Sequence, residues 1–182
     1  MKILYQGNEG AYSQLAAAEI FPQAKLISCK TFEECFKNCV NDENLRTIIP
    51  IENSIAGRVA DIQYLMNKYK LQIYAEHFHK VSHNLIAKPG LKINKLKYVR
   101  SHSQAISQCQ RLINEYKLEP IIAADTAGSA KYISENSIEN EAAIASTLAA
   151  KIYNLEILKS NIEDDKKNVT RFLFMGKKIE HP

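Results

Sequence analysis

Two polar groups interrupt an apolar run near residue 170. The stretch Asn168-Val169-Thr170-Arg171-Phe172-Leu173-Phe174-Met175 reads as a strand carrying a hydroxyl and a guanidinium. Far upstream, Ile48-Ile49-Pro50-Ile51-Glu52-Asn53-Ser54-Ile55-Ala56-Gly57-Arg58-Val59 sets a carboxylate, an amide and a hydroxyl against a second apolar run. Burying a hydroxyl or amide without a partner costs about 1–3 kcal/mol, and a charge costs more. Such groups are therefore expected to be paired or to face a ligand. Thr170 and Arg171 are neighbours in a strand, so their side chains point to opposite faces. At most one of them meets a ligand directly, and the other packs or pairs on the far side.

Other polar groups collect where apolar runs end and helical patterns begin. These are Gln6 to Ser13, Arg100-Ser101-His102-Ser103 and Asp125-Thr126-Ala127-Gly128-Ser129, with Glu52-Asn53-Ser54 as a fourth. Open α/β sheets bind ligands outside the carboxyl ends of their strands, and helix N-termini attract carboxylates. Ser, Thr, Asn and Asp are also ordinary helix caps, so each segment has two readings. Ser101 and Ser103 compete for one cap. Gln108 lies at the edge of an apolar helical stripe, either as a solvated flank or facing a cleft.

His77, His79 and His83 stand close together, and His77 and His79 share a strand face. No third ligand appears at a familiar spacing beyond Glu76, so a polar strand is the better reading than a metal site. No metal or other cofactor is expected. Gly7-Asn8-Glu9-Gly10 lacks the Gly-Lys-Ser/Thr of a phosphate loop, and GxGxxG is absent. The net charge of +4 is mild. It favours anionic small molecules by steering, and without a dense basic stripe it argues against nucleic acid. No apolar run reaches the roughly 18–20 residues of a membrane span. Met1-Lys2 leads straight into a strand pattern, and the four cysteines form no CxxC pair. A cytoplasmic protein with buried free thiols is expected.

The elements that must position these groups alternate. Strand patterns at 3–5, 25–28 and 47–51 are joined by helical ones at 11–21 and 32–40, with a further helix burying Val59, Ile62, Leu65, Met66 and Tyr69. Two extended runs follow, 71–78 and 81–87. Alternation then resumes: strand 97–99, a helix face of Ile106, Cys109, Leu112, Ile113 and Tyr116, strand 120–124, a helix from Thr126, strand 141–145, helix 147–153, an extended run 155–159 and a last strand 169–175. Short joints between strands and helices imply parallel βαβ units. The expected fold class is therefore α/β, in two lobes. Residues 1–76 and 161–182 form one, and 77–160 the other. Two crossings, near 73–82 and 156–163, join them around a ligand cleft.

Five segments, in order along nearly the whole chain, resemble the prephenate dehydratase family: Gly7–Ala16, Ile49–Val59, Ser101-His102-Ser103-Gln104 with its continuation to Cys109, Asp125–Ala130, and Thr170-Arg171-Phe172. The resemblance implies a periplasmic-binding-protein-like (type II) fold. It also implies conversion of prephenate to phenylpyruvate, carbon dioxide and water in phenylalanine biosynthesis, without metal or organic cofactor. By the same resemblance Thr170 helps the departing hydroxyl. Asn53, Ser54, Ser101, Gln108, Arg171, Ser13 and Thr126 surround the substrate. Arogenate is an alternative substrate, and a non-catalytic binding or sensor module on the same plan is a second reading. A homodimer or higher homo-oligomer accords with the family. Many members carry a phenylalanine-binding ACT domain, whereas this sequence ends at Pro182, so absence of phenylalanine feedback is expected.

Overall fold

The computed structural model describes residues 1–136 and 138–177. The chain forms two compact units. The first comprises Met1–Asn8, Tyr12–Val81 and the described residues from 169 to 177; the second comprises Glu9–Ala11 and the described residues of Ser82–Asn168.

In chain order the first unit contains β1 (Lys2–Gln6), α1 (Tyr12–Ile20), β2 (Lys25–Cys29), α2 (Phe32–Asn41), β3 (Leu45–Asn53), β4 (Gly57–Arg58), α3 (Ile62–Tyr69) and β5 (Gln72–Lys80). The second unit contains β6 (Asn84–Ala87), β7 (Tyr98–His102), α4 (Ser103–Ser107), α5 (Gln110–Glu115), β8 (Glu119–Ala123), α6 (Thr126–Glu135), β9 (Glu141–Ala145), α7 (Thr147–Ile152) and β10 (Glu156–Lys159). The chain then returns to the first unit as β11 (Val169–Gly176).

The first sheet runs β2-β1-β3-β11-β5, with β4 folded back on β3. Strands β1, β2 and β3 are parallel, whereas β11 is antiparallel to both of its neighbours. Thr31 caps α2 by accepting from the Glu34 amide, as Thr before an apolar-periodic run should. One face of the sheet packs Leu4, Ile49, Leu173 and Met175 against Cys35, Phe36 and Cys39 of α2 and Ile62 and Leu65 of α3. On the other face Phe174 packs on Phe21, just after α1.

The second sheet runs β10-β6-β9-β7-β8. Its parallel trio β9-β7-β8 has α4 and α5 on one face, around Val99, Ile106, Leu112 and Ile144. The other face packs Ile86, Ala143 and Ala145 against Ala130 and Ile133 of α6 and Ala149 of α7.

Three expectations shift. The helical stripe from Ile106 to Tyr116 is not one helix but two, broken at Gln108–Cys109. Asp164 makes the break. Its carboxylate accepts from the Gln110 and Arg111 amides, opening α5, while its own amide donates to the Gln108 carbonyl at 2.7 Å. The unit boundaries lie at 81/82 and 168/169 rather than 76/77 and 160/161. β5 stays paired with β11 through Lys80, and Ile162 and Glu163 are tied to His83. Residues 178–182, expected in the first lobe, lie outside the described residues.

Glu9–Ala11, thirdly, belongs with the second unit and not with the first. There Ser146 Oγ donates to the Gly10 carbonyl at 2.6 Å and the Tyr153 hydroxyl donates to the Glu9 carbonyl. Gly10 has φ +92°, and a Cβ there would meet Ala149 at 2.7 Å, so both the turn and the close approach require glycine.

Candidate functional site

In the first unit, antiparallel pairing sets the start of β11 beside the end of β3, with Thr170 opposite Asn53. A bulge follows, because Arg171 pairs with Glu52 but Phe172 pairs with Pro50, leaving Ile51 as the extra residue. The Asn53 side chain has a fixed orientation. Its Oδ1 accepts from the Ile55 and Ala56 amides at 3.0 and 2.9 Å, closing the turn after β3. That leaves Nδ2 to donate, and it does so to Thr170 Oγ1 at 2.9 Å and to the Val169 carbonyl at 3.3 Å. Thr170 Oγ1 is thus an acceptor toward Asn53. Its own proton points elsewhere, and no second partner for it occurs among the described residues.

Ser54 holds the residue before Thr170. Its amide donates to the Val169 carbonyl and its Oγ accepts from the Val169 amide. Ser13 is buried in the first turn of α1, with no side-chain hydrogen bond to another described residue. Arg171 takes the face away from Thr170. There it forms an ion pair with Glu76 at 2.6 Å and lies near the Phe78 ring. Its charge is therefore compensated within β5 and β11. A concavity of about 570 Å³ lined by Thr31, Glu33, Glu34, Lys37, Lys68 and Tyr69 belongs to α2 and α3, not to the face that bears Thr170.

In the second unit Gln108 sits in the helix break rather than on a solvated flank. Its Oε1 accepts from His83 Nε2 at 2.8 Å and from Asn168 Nδ2 at 2.9 Å. Two donors on the oxygen fix the amide, so Nε2 is turned the other way with two N–H groups to offer. Burial holds the His83 imidazole below its usual range, against the opposing pull of the Gln108 bond and the Glu163 charge. The neutral ring then donates through Nε2.

Neither Ser101 nor Ser103 caps α4; His102 does, its Nδ1 accepting from the Gln104 amide at 3.2 Å. Ser101 is fully buried and donates to the Ile144 carbonyl at 2.7 Å, extending the β7–β9 pairing one step beyond the backbone ladder. Asp125 caps α6, and Thr126, the next residue, makes no side-chain hydrogen bond to another described residue. Composition gave no signal for two further members of these networks, Asn168 and Glu163. Asn168 is fully buried on Gln108, and Glu163 accepts from the His83 amide at 3.0 Å. His77 and His79 also acquire a carboxylate that their local spacing did not supply, Glu19 of α1.

These features define a two-unit α/β protein with polar groups at the strand ends of both sheets. Comparison with known proteins supplies the family. The family profile described as prephenate dehydratase matches residues 3–180. Arogenate dehydratase 2 of Petunia hybrida is 37% identical over 97% of this chain and 45% of its own length. A bifunctional N-acyl-homoserine lactone acylase/prephenate dehydratase of Komagataeibacter europaeus is 36% identical over 97% of this chain and 63% of its own. The solved prephenate dehydratase of Arthrobacter aurescens, in complex with L-Phe, superposes with a TM-score of 0.90 at 26% identity over 100% of this chain and 62% of that one. The lipoprotein Tp32 of Treponema pallidum, at TM-score 0.50 and 9% identity over 97% of this chain and 83% of that one, shares the fold alone.

The chain belongs to the prephenate dehydratase family. It spans about half the length of the curated plant relatives it matches. No helix among the described residues is long and apolar enough to cross a membrane.

Proposed function

We propose that this chain catalyses the decarboxylating dehydration of prephenate to phenylpyruvate, carbon dioxide and water, a step of aromatic amino-acid biosynthesis. The observation that carries the reading is the directed hydrogen bond from Asn53 to Thr170 at the end of β3. It leaves the threonine proton available to a leaving oxygen.

In the reaction the bond from the ring to its quaternary carboxylate breaks and carbon dioxide departs. The electron pair enters the ring, the C–O bond at the opposite carbon breaks, and the hydroxide takes a proton to leave as water. Aromaticity drives both cleavages, so the protein has to orient the substrate and assist one leaving group. Thr170 donates to the departing oxygen. Threonine is a weak acid, so it acts as a positioned donor as charge develops. Such help is worth about 10²–10⁴-fold in rate, roughly 3–5 kcal/mol of barrier.

Gln108 Nε2 donates to a substrate oxygen, and Ser54 holds the strand that carries Thr170. Ser13 and Thr126 are assigned to substrate binding through the first turns of their helices. Ser101 fixes the end of β7 in this reading, and Arg171 acts through its pair with Glu76. The four buried, free thiols suit a reducing compartment such as the cytoplasm.

The test is to mix the purified chain with prephenate and follow phenylpyruvate. Turnover that disappears in Thr170→Ala supports the assignment; no product from the wild-type chain overturns it. The names of the plant relatives favour arogenate as a second substrate. Parallel kcat/KM measurements with the two compounds decide between them.

A further inference from the structure

We propose that Glu19, His77 and His79 form a binding site for one divalent transition-metal ion of the zinc class, on the sheet face that also carries Thr170, the cross-strand partner of His79. His77 and His79 are two residues apart on β5 and so share a face of the sheet. The last turn of α1 brings Glu19 to them. Glu19 Oε2 lies 3.2 Å from His77 Nε2 and 2.9 Å from His79 Nδ1. The three ligand atoms all fall within 4.8 Å of one another.

Two imidazoles and one carboxylate are a donor set that suits zinc, cobalt and their neighbours better than magnesium or calcium. The spacing suits them as well. Bonds of about 2.0–2.1 Å in a tetrahedral site put neighbouring ligand atoms about 3.3–3.4 Å apart. The two observed separations fall short of that by a few tenths of an ångström, within reach of a small rotation of Glu19, whose side chain is 47% exposed. Water fills the remaining coordination positions from the open side.

The competing explanation is an ordinary hydrogen-bonded triad. Both rings approach the same carboxylate oxygen, so each must carry its proton there, and one cation can replace the two bridging hydrogens. The His79 side chain is only 4% exposed, and its other nitrogen, Nε2, is buried without a hydrogen-bond partner among the described residues. That nitrogen stays unpaired whether Nδ1 carries a proton or an ion, so it is the convergence of the three ligand atoms that points to the ion. Burial pushes the Glu19 carboxyl up, but the hydrogen bonds and charge of His79 and His77 outweigh this and hold it below the usual carboxylate range. It is thus ready as an anionic ligand. A bound ion would clip α1 to β5, which lies at the edge of its sheet.

The experiment strips the full chain with a chelator, then titrates it with Co²⁺ while recording the visible ligand-field spectrum, and with Zn²⁺ in competition. The expected result is one equivalent bound, an absorption typical of tetrahedral or five-coordinate cobalt, and a melting temperature raised by several degrees with Zn²⁺. Glu19→Gln and His77→Gln should each weaken binding at least tenfold. Both side chains are partly exposed, so the variants are expected to fold, and His77→Gln decides alone if the other does not. Failure of the wild-type chain to bind Co²⁺ at millimolar concentration overturns the proposal. So does binding by His77→Gln as tight as wild type, which would place the ion elsewhere. Neither result depends on prephenate turnover.

Discussion

The Asn53 amide and the Thr170 hydroxyl are joined by a hydrogen bond of 2.9 Å whose direction is set, because two backbone N–H groups already occupy the amide oxygen. The hydroxyl therefore accepts from Asn53 and is left to donate. Removing the hydroxyl should abolish donation while costing the fold only one hydrogen bond, about 0.5–1.5 kcal/mol. Thr170→Ala is expected to lower kcat by about 10²–10⁴-fold, with a melting temperature close to wild type. Thr170→Ser, which keeps the oxygen, should retain most of the activity. Asn53→Ala should lower both kcat and stability, since it also releases the Ile55 and Ala56 amides. Phenylpyruvate formation and thermal melts on the three variants check this. Unchanged kcat in Thr170→Ala would make the threonine structural.

Gln108 allows its proposed contact with substrate to be tested apart from folding in one substitution. Its oxygen is held by His83 and Asn168, and its nitrogen faces away from both. Gln108→Glu keeps an acceptor for those two donors and replaces the outward N–H groups with a second carboxylate oxygen. In the proposed role of Gln108, a dianionic substrate then meets repulsion in place of a donor. The expected outcome is KM for prephenate raised tenfold or more, with melting temperature changed little near neutral pH. Gln108→Leu should instead lose stability, because the donors of His83 and Asn168 are buried and need a partner.

The helix break that holds Gln108 marks the limit of what periodicity can reveal. The stripe Ile106, Cys109, Leu112, Ile113, Tyr116 fits a single helix, and its burial is as that stripe requires. The interruption comes from Asp164, more than fifty residues away, whose carboxylate replaces the backbone partners that a continuous helix would have supplied. Local pattern carries no trace of such a distant cap. For the same reason Gln108 reads as a flank residue, and Glu19 is absent from any reading of the His77–His79 strand.

By contrast, the strands and their order of alternation were legible, except for the two-residue β4, beside which Val59 lies outside α3 and not on its face as expected. Each depends on short-range apolar pattern, and Glu141–Ala145 and its neighbours obey it. The opposition of Thr170 and Arg171 was legible as well, because it follows from the two-residue period of a strand. That Arg171 is matched by Glu76 required the register of β11 on β5.

His83 gives the second unit a pH dependence of known sign. Burial depresses its folded pKa below the unfolded value, so the folded protein resists taking up the proton. The stability this preserves is complete above the unfolded value, about 6.5, and is lost as pH falls through the folded one. Facing it are the Gln108 amide, which accepts from its Nε2, and the Glu163 carboxylate, which accepts from its backbone. Between pH 7.5 and 5 the melting temperature is expected to fall in the wild-type chain. It should fall less steeply in His83→Gln, which starts lower but has no proton to gain. Parallel slopes in the two proteins would remove His83 from the account.

Gly10 tests whether Glu9–Ala11 belongs to the second unit energetically as well as geometrically. Two independent demands fall on this residue: a positive φ of +92°, and a backbone so near α7 that a Cβ would stand 2.7 Å from Ala149. Alanine satisfies neither. The strained φ alone costs about 1 kcal/mol or more, and relieving the clash means moving the Gly10 carbonyl off Ser146 Oγ, the same hydroxyl that caps α7 through the Ala149 amide. Gly10→Ala should therefore destabilise the chain by about 2–4 kcal/mol, within the range for strain combined with overpacking. Ser146→Ala, which removes the hydrogen bonds but not the fit, should cost less. Denaturant unfolding of both variants measures the difference. Equal losses would mean that the hydroxyl, and not the missing side chain, is what holds this turn to α7.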